Sequence, residues 1–322
     1  MYKKDFITGA EFPPSELKKI IDLAISFKNG EISPDFASKT LTLIFANPSL
    51  RTRLSFESGM KKMKGNANVL SVGDAWDFEY KDGATMDANK QEHIKDAAKV
   101  ISKYTDLIGM RKFDHVTDEN KAELKKDEAV NQLAKHATVP VINMESNMFH
   151  PCQAMADMMT MTEHLQEVKN KKYVLTWAPH PKSLPLATPH SQLLTPSIFG
   201  MDVTLTHPKG LDLDKDVIEL SQKKATEAGG SLHITHDQPE AFLNADVIVA
   251  KSWASSGGSE DWMINEDKMA LTNDAIFMHC LPVRRNVVVT DGVLDSPKSL
   301  VIQEAENRMW SQMAIIHYLL TL

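Results

Sequence analysis

The stretch "TLTLIFANPSLRTRLSFESG", residues 40–59, joins an apolar run to a helical pattern through a short polar loop. The β-branched and apolar residues of "TLTLIFA" predict a buried strand over Thr40–Ala46. Ser49 follows Pro48 and precedes a pattern with a period of 3.6 residues, so it is a plausible N-cap for a helix that begins beside it. This succession of strand, loop and helix is the building block of an α/β sheet.

The same succession recurs along the chain. Short apolar runs alternate with longer helical patterns, which is typical of βαβ units with parallel strands. The predicted strands cover residues 40–46, 68–72, 106–111 and 139–144 in the first half, and 173–178, 202–207, 231–236, 246–251 and 275–280 in the second. We therefore expect an α/β fold with two domains, each an open parallel sheet covered by helices.

Long helices are expected to join these domains. One pattern covers His150–Gln166, and another covers residues 305–320 near the C-terminus. We expect residues 1–145 to form the first domain, residues 146–303 to form the second, and the helix at residues 304–322 to pack back on the first. The charged run "KFDHVTDENKAELKKDE", residues 112–128, is interpreted as a loop and a solvated face.

Composition excludes several classes of protein. The chain has 322 residues and a formal net charge of -7, whereas general nucleic-acid binders and binders of anionic membranes rely on an excess of basic residues. The apolar runs are shorter than the roughly 18 residues of a membrane span, and the N-terminal stretch lacks the apolar core of a signal peptide. We expect a cytoplasmic protein without nucleic-acid or membrane partners, in which any cationic site is local.

The two cysteines favour neither a disulfide framework nor a metal site. Cys152 and Cys280 are far apart in sequence and lack both CxxC and Cys/His spacing. We expect reduced thiols and no bound metal.

Residues 49–52 concentrate groups that bind anions. A helix start offers free backbone N–H groups and the positive end of the helix dipole, to which Ser49, Arg51 and Thr52 add two hydroxyls and a cation. This combination suits a phosphate. The same residues are equally typical of an ordinary capped helix with a surface arginine.

Other polar groups follow predicted strands. Arg111 closes the strand at 106–111, "HPCQ" at 150–153 begins the connecting helix, and "HCLPVRR" at 279–285 closes the last strand. The carboxyl ends of parallel strands meet at one edge of a sheet, where open α/β sheets bind ligands. Singly, Arg111 could be a surface residue and His150 a helix cap; together the clusters favour a site.

The motifs "SLRTR", "HPCQ" and "HCLPVRR" resemble the three signature motifs of the aspartate and ornithine carbamoyltransferases, in the right order and over nearly the whole chain. The resemblance implies that an amine attacks the carbonyl carbon of carbamoyl phosphate and that phosphate leaves. It also implies that the first domain binds carbamoyl phosphate and that the second binds the amino acid. No cofactor is implied.

Matching motif positions imply three sets of contacts with carbamoyl phosphate. The phosphate contacts are Ser49, Leu50, Arg51, Thr52, Arg308 and, from a neighbouring subunit, Trp76. The contacts that polarise the carbonyl oxygen are Thr52, Arg111 and His150. The contacts that orient the carbamoyl amino group are Gln153 and the backbone of Cys280 and Leu281.

Cys280 is implied to lie beside the attacking δ-amine. The reaction requires no covalent enzyme intermediate, and the departing phosphate can accept the amine proton. A buried, inert thiol is the alternative for this residue.

Two further stretches, "WAPHP" at 177–181 and "AKSW" at 250–253, resemble the branch of the family that uses Nα-acylated ornithine. Ornithine carbamoyltransferases have an "SMG" loop near the α-amino group, where this chain has "KSWASSGG" at 251–258. The resemblance implies four contacts with the acyl-ornithine: Glu145, His180, Lys251 and Arg284. An ordinary loop histidine is the alternative for His180.

The acyl group is predicted from two positions. Acetyl enzymes of the branch carry a glutamate before an "EH" dipeptide, on a loop from the neighbouring subunit, whereas this chain has Gln91 there with Lys90 beside it. A glutamate would repel the carboxylate of a succinyl group, and Gln91 would not. The lysine of the acetyl enzymes after "VRRN" is replaced by Val288, as in succinyl enzymes. The succinyl enzymes have proline at the first position, and Gln91 could also hydrogen-bond an acetyl group, so acetyl remains the alternative.

The resemblance further implies a homotrimer whose active sites are shared between subunits, because Trp76 and Gln91 would reach the substrates only across a subunit boundary. Carbamoyl phosphate would bind first, and domain closure would exclude water. A non-catalytic anion-binding protein on the same fold is the alternative of a different class. Carbamoylation of free ornithine, aspartate or a diamine is disfavoured by "WAPHP" and by the absent "SMG" loop.

Overall fold

The computed structural model describes residues 3–71, 74, 76–115, 120–182, 184–253 and 260–322. The chain divides into two compact units. The first comprises Met1–Glu11, Lys18–Cys152 and Arg308–Leu322, and the second comprises Phe12–Leu17 and Gln153–Asn307. The fold is α/β, as predicted.

The elements up to the end of the first sheet are α1 (Pro14–Lys28), β1 (Thr40–Phe45), α2 (Leu50–Lys62), β2 (Asn66–Ser71), β3 (Phe78–Glu79), β4 (Glu92–His93), α3 (Ile94–Ile101), β5 (Leu107–Arg111), α4 (Lys121–Leu124), α5 (Glu128–His136) and β6 (Val141–Glu145). The later elements are α6 (Pro151–Leu165), β7 (Lys172–Trp177), α7 (Ala187–Ile198), β8 (Asp202–Thr206), α8 (Lys215–Ala228), β9 (Ser231–Thr235), α9 (Gln238–Phe242), β10 (Val247–Lys251), a 3₁₀ turn (Glu260–Trp262), α10 (Glu266–Met269), β11 (Ile276–Met278), α11 (Asp291–Leu294) and α12 (Val301–Thr321).

The first sheet has the strand order β2-β1-β5-β6, and all its pairings are parallel. The chain leaves β1 for β2 on one side and later enters β5 on the other side of β1. Such a reversal of direction opens a crevice at the carboxyl ends of the two central strands, where α/β sheets bind ligands. Phe45 and Arg111 are paired at these ends, and the "NPSLRTR" loop follows directly after β1.

The second sheet repeats this arrangement with the parallel order β11-β10-β7-β8-β9. Here the reversal falls between β7 and β10, whose last residues Trp177 and Lys251 are paired. The "WAPHP" and "AKSW" stretches therefore begin at the crevice of this sheet.

Helices cover the sheets through apolar faces. In the first unit, Ile94 and Ala98 of α3 and Leu133 of α5 are buried in one cluster with Ile108 and Met110 of β5. Elsewhere in the same unit α2 approaches α12 closely at Gly59, where an added Cβ would lie 2.9 Å from Met313 Cγ. Only a glycine allows this spacing.

The predicted strands are all present, with ends shifted by no more than two residues; Val72, the last residue of one prediction, lies outside the described residues. The long helices are confirmed as α6 and α12, and each contains a boundary between the units. The two-residue strands β3 and β4 were not predicted. The solvated interpretation of residues 112–128 is wrong for Asp127, which is buried. Among the described helices, none is long and apolar enough to cross a membrane.

Candidate active site

Helix α2 begins as the sequence predicts. Ser49 has extended backbone angles, and its side chain accepts a hydrogen bond from the Thr52 backbone N–H at 3.3 Å, so the predicted N-cap is confirmed. The first turn contains Arg51 and Arg53 and no acidic residue. A helix start without its own carboxylate leaves its dipole available to an external anion.

Thr52 and Arg308 meet beneath this helix start. Both side chains are buried, and Arg308 Nη2 donates to Thr52 Oγ1 at 3.1 Å. With the Gln312 amide oriented by its hydrogen bonds, its oxygen accepts from Arg308 Nε at 3.2 Å and its nitrogen donates to Ser55 Oγ at 2.7 Å. The guanidinium is therefore held rigidly behind the first turn of α2.

Arg111 extends from the end of β5 toward the same loop. Its Nη1 donates to the carbonyl oxygens of Pro48 at 2.9 Å and Asn47 at 3.3 Å, and its guanidinium lies 4.9 Å from the centre of the Phe113 ring. Its buried Nε has no hydrogen-bond partner among the residues that the structure describes. A buried donor left in this way is what a bound anion or carbonyl oxygen would satisfy.

Glu145 and His150 complete this group in the first unit. Glu145 Oε2 accepts from Arg111 Nη2 at 2.5 Å and lies 3.8 Å from His150 Nε2. All three side chains are largely buried, so the ion pair is shielded from water. Glu145, which the resemblance assigns to the acyl-ornithine, thus pairs with Arg111 in the first unit, whereas His180, Lys251 and Arg284 belong to the second.

Trp76 and Gln91 lie on one exposed segment of the first unit. Trp76 is 52% exposed, and its Nε1 donates to Glu92 Oε2 at 2.8 Å. Gln91 immediately precedes β4 and is exposed. The neighbouring Lys90 is bonded within its own unit, because its Nζ donates to the Phe78 carbonyl at 2.8 Å. The two residues predicted to act across a subunit boundary therefore share a surface.

In the second unit, Gln153 belongs to a buried polar network. Its Nε2 donates to Asp157 Oδ1 at 2.7 Å and to Glu304 Oε1 at 2.8 Å. Burial, then the nearby Asp157 carboxylate, raise the pKa of Glu304 well above its ordinary value. Both carboxyl groups accept from the same amide nitrogen, so Gln153 is anchored in this network through Nε2.

The same network reaches the loop after β11. Glu304 Oε2 accepts from the His279 backbone N–H at 2.9 Å, and His279 Nδ1 accepts from the Leu281 N–H at 3.0 Å. Leu281 has a left-handed φ of 52° and is followed by a cis peptide bond to Pro282. Cys280, between them, is a partly buried cysteine that forms no disulfide. The structure thus joins Gln153 to the Cys280–Leu281 backbone through one carboxyl group.

His180, Lys251 and Arg284 come together beyond β7 and β10. Arg284 Nε donates to His180 Nε2 at 3.0 Å, and His180 Nδ1 lies 2.8 Å from the Lys182 carbonyl. Burial, then the charges of Arg284 and Lys251, lower the pKa of His180. The lowered pKa favours the neutral form of the imidazole, and its Nδ1 also accepts from the Lys182 backbone N–H at 3.1 Å.

Paired arginines have different roles in both motifs. Arg53 bonds Glu57 Oε2 at 3.2 Å and Ser71 Oγ at 3.2 Å, so it braces the loop. Arg285 forms ion pairs at 2.7 Å with Asp291 and Asp295. Arg53 and Arg285 are thus the members of each pair that are held by carboxylates of their own unit.

Two other predictions concern the second unit. Val288 is buried in the cluster that contains Ile264 and Phe277, a setting that would not accept a lysine. Residues Ala254–Gly258 of the "KSWASSGG" stretch lie outside the described residues. Within the described ranges, no three His, Cys, Asp or Glu side chains meet as metal ligands would.

Sequence reasoning missed the residues that hold this site. Asp157 lies four residues after Gln153, one turn along the same helix face, and that spacing could have indicated the pair. Glu304 is distant in sequence from both, so only the fold reveals it. Asp127, Asn47 and Asn147, which tie the loops of the first unit, gave no signal at all.

Family models match both halves of the chain. The carbamoyl-phosphate-binding domain of aspartate/ornithine carbamoyltransferase matches residues 4–163. The Asp/Orn-binding domain of the same family matches residues 187–319. These two matches cover the first sheet with α6, and the second sheet from α7 through most of α12.

Known proteins are similar over the full chain. N-acetylornithine carbamoyltransferase from Xanthomonas axonopodis pv. citri (strain 306) is 40% identical over 333 residues, which cover 98% of this chain and 96% of that protein. N-succinylornithine carbamoyltransferase from Bacteroides fragilis (strain 638R) is 39% identical over 293 residues, which cover 88% of each.

A solved structure shares the whole fold. It is a variant of N-acetyl-L-ornithine transcarbamylase in which a glutamate is replaced by valine, complexed with carbamyl phosphate and N-succinyl-L-norvaline. Its TM-score is 0.93 at 40% identity, with 97% of this chain and 98% of that chain covered. Together with the strand-end motifs and their geometry, these similarities establish that the chain belongs to the aspartate/ornithine carbamoyltransferase family.

Proposed function

We propose that this protein transfers the carbamoyl group of carbamoyl phosphate to the δ-amine of N2-succinyl-L-ornithine. The products are N-succinyl-L-citrulline and phosphate, and the reaction belongs to arginine biosynthesis. The observation that carries the proposal is the cationic group of the first unit. There Arg308 backs Thr52, and Arg111 has a buried Nε that is unpartnered among the described residues.

The phosphate of the substrate would bind at the start of α2. Ser49, Leu50, Arg51 and Thr52 would donate to it, with Arg308 supporting Thr52. Charge-assisted hydrogen bonds to a phosphate are among the strongest available to a protein. The buried position of Thr52 and Arg308 keeps water from screening them.

Catalysis would rest on stabilising the charge that develops on the carbonyl oxygen. The δ-amine forms a C–N bond to the carbonyl carbon, the oxygen becomes anionic in the tetrahedral intermediate, and the C–O bond to phosphate then breaks. Thr52, Arg111 and His150 would donate to that oxygen, and the departing phosphate would take the amine proton. The Glu145 pair would keep the Arg111 guanidinium in a fixed direction.

The carbamoyl amino group needs acceptors rather than donors. The Gln153 carbonyl oxygen and the backbone of Cys280 and Leu281 are our proposed acceptors. The engagement of Gln153 Nε2 by two carboxyl groups supports this assignment. Cys280 would lie beside the attacking amine without bonding to it.

The acyl-ornithine would bind through its carboxylate. Lys251 and Arg284, beside a neutral His180, supply the positive charge, and Glu145 is a further proposed contact. An Nα-acyl group removes the α-ammonium, so a cationic site suits this acceptor better than it suits free ornithine.

The succinyl group is favoured by Gln91. A neutral side chain there does not repel the terminal carboxylate of a succinyl group, whereas the acetyl enzymes carry a glutamate. The solved relative with a glutamate replaced by valine holds N-succinyl-L-norvaline, which agrees with this view. N2-acetyl-L-ornithine is the second candidate, because the acetyl relative aligns over 98% of the chain and the succinyl relative over 88%.

We propose a homotrimer with shared active sites. The exposure of Trp76, and of Leu50 and Leu54 one helical turn apart on α2, supports an interface on this surface. Mixing Arg51→Ala and Trp76→Ala subunits after reversible dissociation tests the proposal. Activity should reappear only in the mixture; two inactive variants that stay inactive together would contradict shared sites.

The acceptor is tested by steady-state kinetics with carbamoyl phosphate. N2-succinyl-L-ornithine, N2-acetyl-L-ornithine and L-ornithine should be compared by kcat/KM. We expect the succinyl compound to be the best acceptor and L-ornithine the worst. An equal or higher kcat/KM with the acetyl compound would overturn the succinyl assignment, and a preference for L-ornithine would overturn the acyl assignment.

A further inference from the structure

Asp127 occupies the N-cap position of α5 without capping that helix. Its backbone is left-handed, with φ 49° and ψ 42°, and its side chain makes no hydrogen bond to the first turn of α5. The carboxylate instead accepts hydrogen bonds from Ser146 Oγ and, at 2.9 Å, from the Asn147 backbone N–H. Aspartate at this position ordinarily stabilises its own helix, so its carboxylate has been diverted to another loop.

The loop that Asp127 holds connects Glu145 to His150. Ser146 N–H donates to the Phe149 carbonyl at 2.9 Å, and Asn143 Nδ2 donates to Ser146 Oγ at 2.9 Å. These bonds close a tight turn directly between the two site residues. The turn therefore sets the 3.8 Å separation between Glu145 Oε2 and His150 Nε2.

The Asn147 side chain joins the loop after β6 to the loop after β5. Its Oδ1 accepts from the Asp114 backbone N–H at 2.8 Å. Asp114 lies three residues after Arg111, so the position of Asn147 bears on the segment that leaves the end of β5.

Asn47 joins the loop after β5 to the loop after β1, where the proposed phosphate site begins. Its Oδ1 accepts from the Phe113 N–H at 2.9 Å, and its Nδ2 donates to the Phe113 carbonyl at 3.1 Å. Asn47 lies two residues before the N-cap Ser49. Three strand-end loops, those after β1, β5 and β6, are thus joined side by side through polar side chains.

We propose that Asp127, Asn147 and Asn47 are positioning residues, which hold these three loops in the one arrangement that lets Ser49, Arg111 and His150 meet carbamoyl phosphate. The inference rests on the proposed function in taking carbamoyl phosphate as the ligand. A buried carboxylate and a left-handed aspartate both oppose folding. What they provide in return is the geometry of the site, because misplacement of a catalytic group by about 1 Å can cost roughly a hundredfold in rate.

The chain offers a matched control at the opposite edge of the same sheet. Asp106 precedes β5, and it accepts from the Thr40 backbone N–H at 2.9 Å and from Lys39 Nζ at 2.8 Å. Like Asp127, Asp106 joins two segments through its carboxylate, but it does so at the amino ends of the strands. Asp106→Ala should reduce stability without reaching the site.

The experiment measures carbamoyl phosphate binding by calorimetry, without acceptor, in the full-length protein. We expect Asp127→Ala to weaken binding at least about tenfold, the loss of one or two net hydrogen bonds. Asp127→Asn, which keeps one acceptor, should recover most of it, and Asp106→Ala should bind as the wild type does. Equal effects of Asp127→Ala and Asp106→Ala, or unchanged binding in both, would overturn the inference.

Asn147→Ala keeps the test decisive if Asp127→Ala does not fold. This variant retains the backbone N–H that meets Asp127 and, among the described residues, loses the side-chain bond to Asp114. It should weaken carbamoyl phosphate binding severalfold, and unchanged binding would contradict the connection between the loops. Wild-type protein that binds carbamoyl phosphate but carbamoylates no acyl-ornithine would refute the proposed acceptor while leaving the positioning inference standing.

Discussion

Arg308 Nη2 donates to Thr52 Oγ1 at 3.1 Å, although the two residues are 256 positions apart. The bond joins α12, which ends the chain, to the first turn of α2. It places the buried guanidinium of Arg308 behind the first turn of α2, where the proposed phosphate would bind. The proposed phosphate site thus depends on two segments that are far apart in sequence.

Arg51 and Arg53 should behave differently when each is replaced by alanine. Arg51→Ala removes a proposed phosphate ligand and should weaken carbamoyl phosphate binding roughly ten- to hundredfold, as expected for a charged hydrogen bond. Arg53→Ala, which loses an exposed pair with Glu57, should change binding less than about threefold. Calorimetry on both variants checks this, and comparable losses in the two would contradict the assignment.

Gln91→Glu should reverse the acyl preference. The introduced carboxylate would repel the terminal carboxylate of N2-succinyl-L-ornithine, so kcat/KM for that acceptor should fall at least about tenfold while the value for N2-acetyl-L-ornithine changes little. Gln91→Asn, a neutral control, should keep the wild-type preference. A preference that is unchanged in Gln91→Glu would place the acyl group elsewhere.

Arg284 and Arg285 form a second matched pair. Arg284→Ala should raise KM for the acyl-ornithine about tenfold or more and leave carbamoyl phosphate binding unchanged, because the residue lies beside His180 in the second unit. Arg285→Ala breaks ion pairs with Asp291 and Asp295 at the surface and should leave both constants close to wild type. Steady-state kinetics with each substrate varied in turn distinguishes the two outcomes.

The pH dependence of stability should reveal Asp127. Burial raises the pKa of this carboxyl to about 6, against hydrogen bonds from Ser146, Asn147 and Met148 that lower it. Between about pH 4 and pH 6 the folded protein therefore holds a proton that the unfolded chain has lost, and stability falls as pH rises. Asp127→Asn should remove this slope, so its melting temperature relative to wild type should rise between pH 4 and pH 7. A difference that does not vary with pH, measured by calorimetry, would be inconsistent with the raised pKa.

The sequence predicted those parts of the structure that depend on local pattern. Strands such as Thr40–Phe45 are marked by β-branched residues, and Ser49 is a cap because a helical pattern begins directly after it. The bracing role of Arg53 was also predictable, because its partner Glu57 lies one helical turn away.

Contacts between distant segments could not be predicted in this way. Asp127 stands in a charged run whose pattern indicates a loop and a solvated face. Its burial becomes evident only when β6 brings Ser146 beside it. The pairing of Arg111 with Glu145 likewise depends on the parallel register of β5 and β6, which no short motif encodes. Motifs identified the groups that we propose to contact substrate, and the fold identified the residues that hold those groups.

The close approach of α2 and α12 at Gly59 limits which residues that position can accept without disturbing the proposed anion site. With no side chain at this position, α2 rests almost directly on α12 at Met313, a little over one helical turn from Arg308. A larger residue would push the two helices apart and move the start of α2 away from the guanidinium that supports Thr52. A side chain at Gly59 would therefore disturb the contact between Arg308 and Thr52, although Gly59 lies two helical turns along α2 from that threonine.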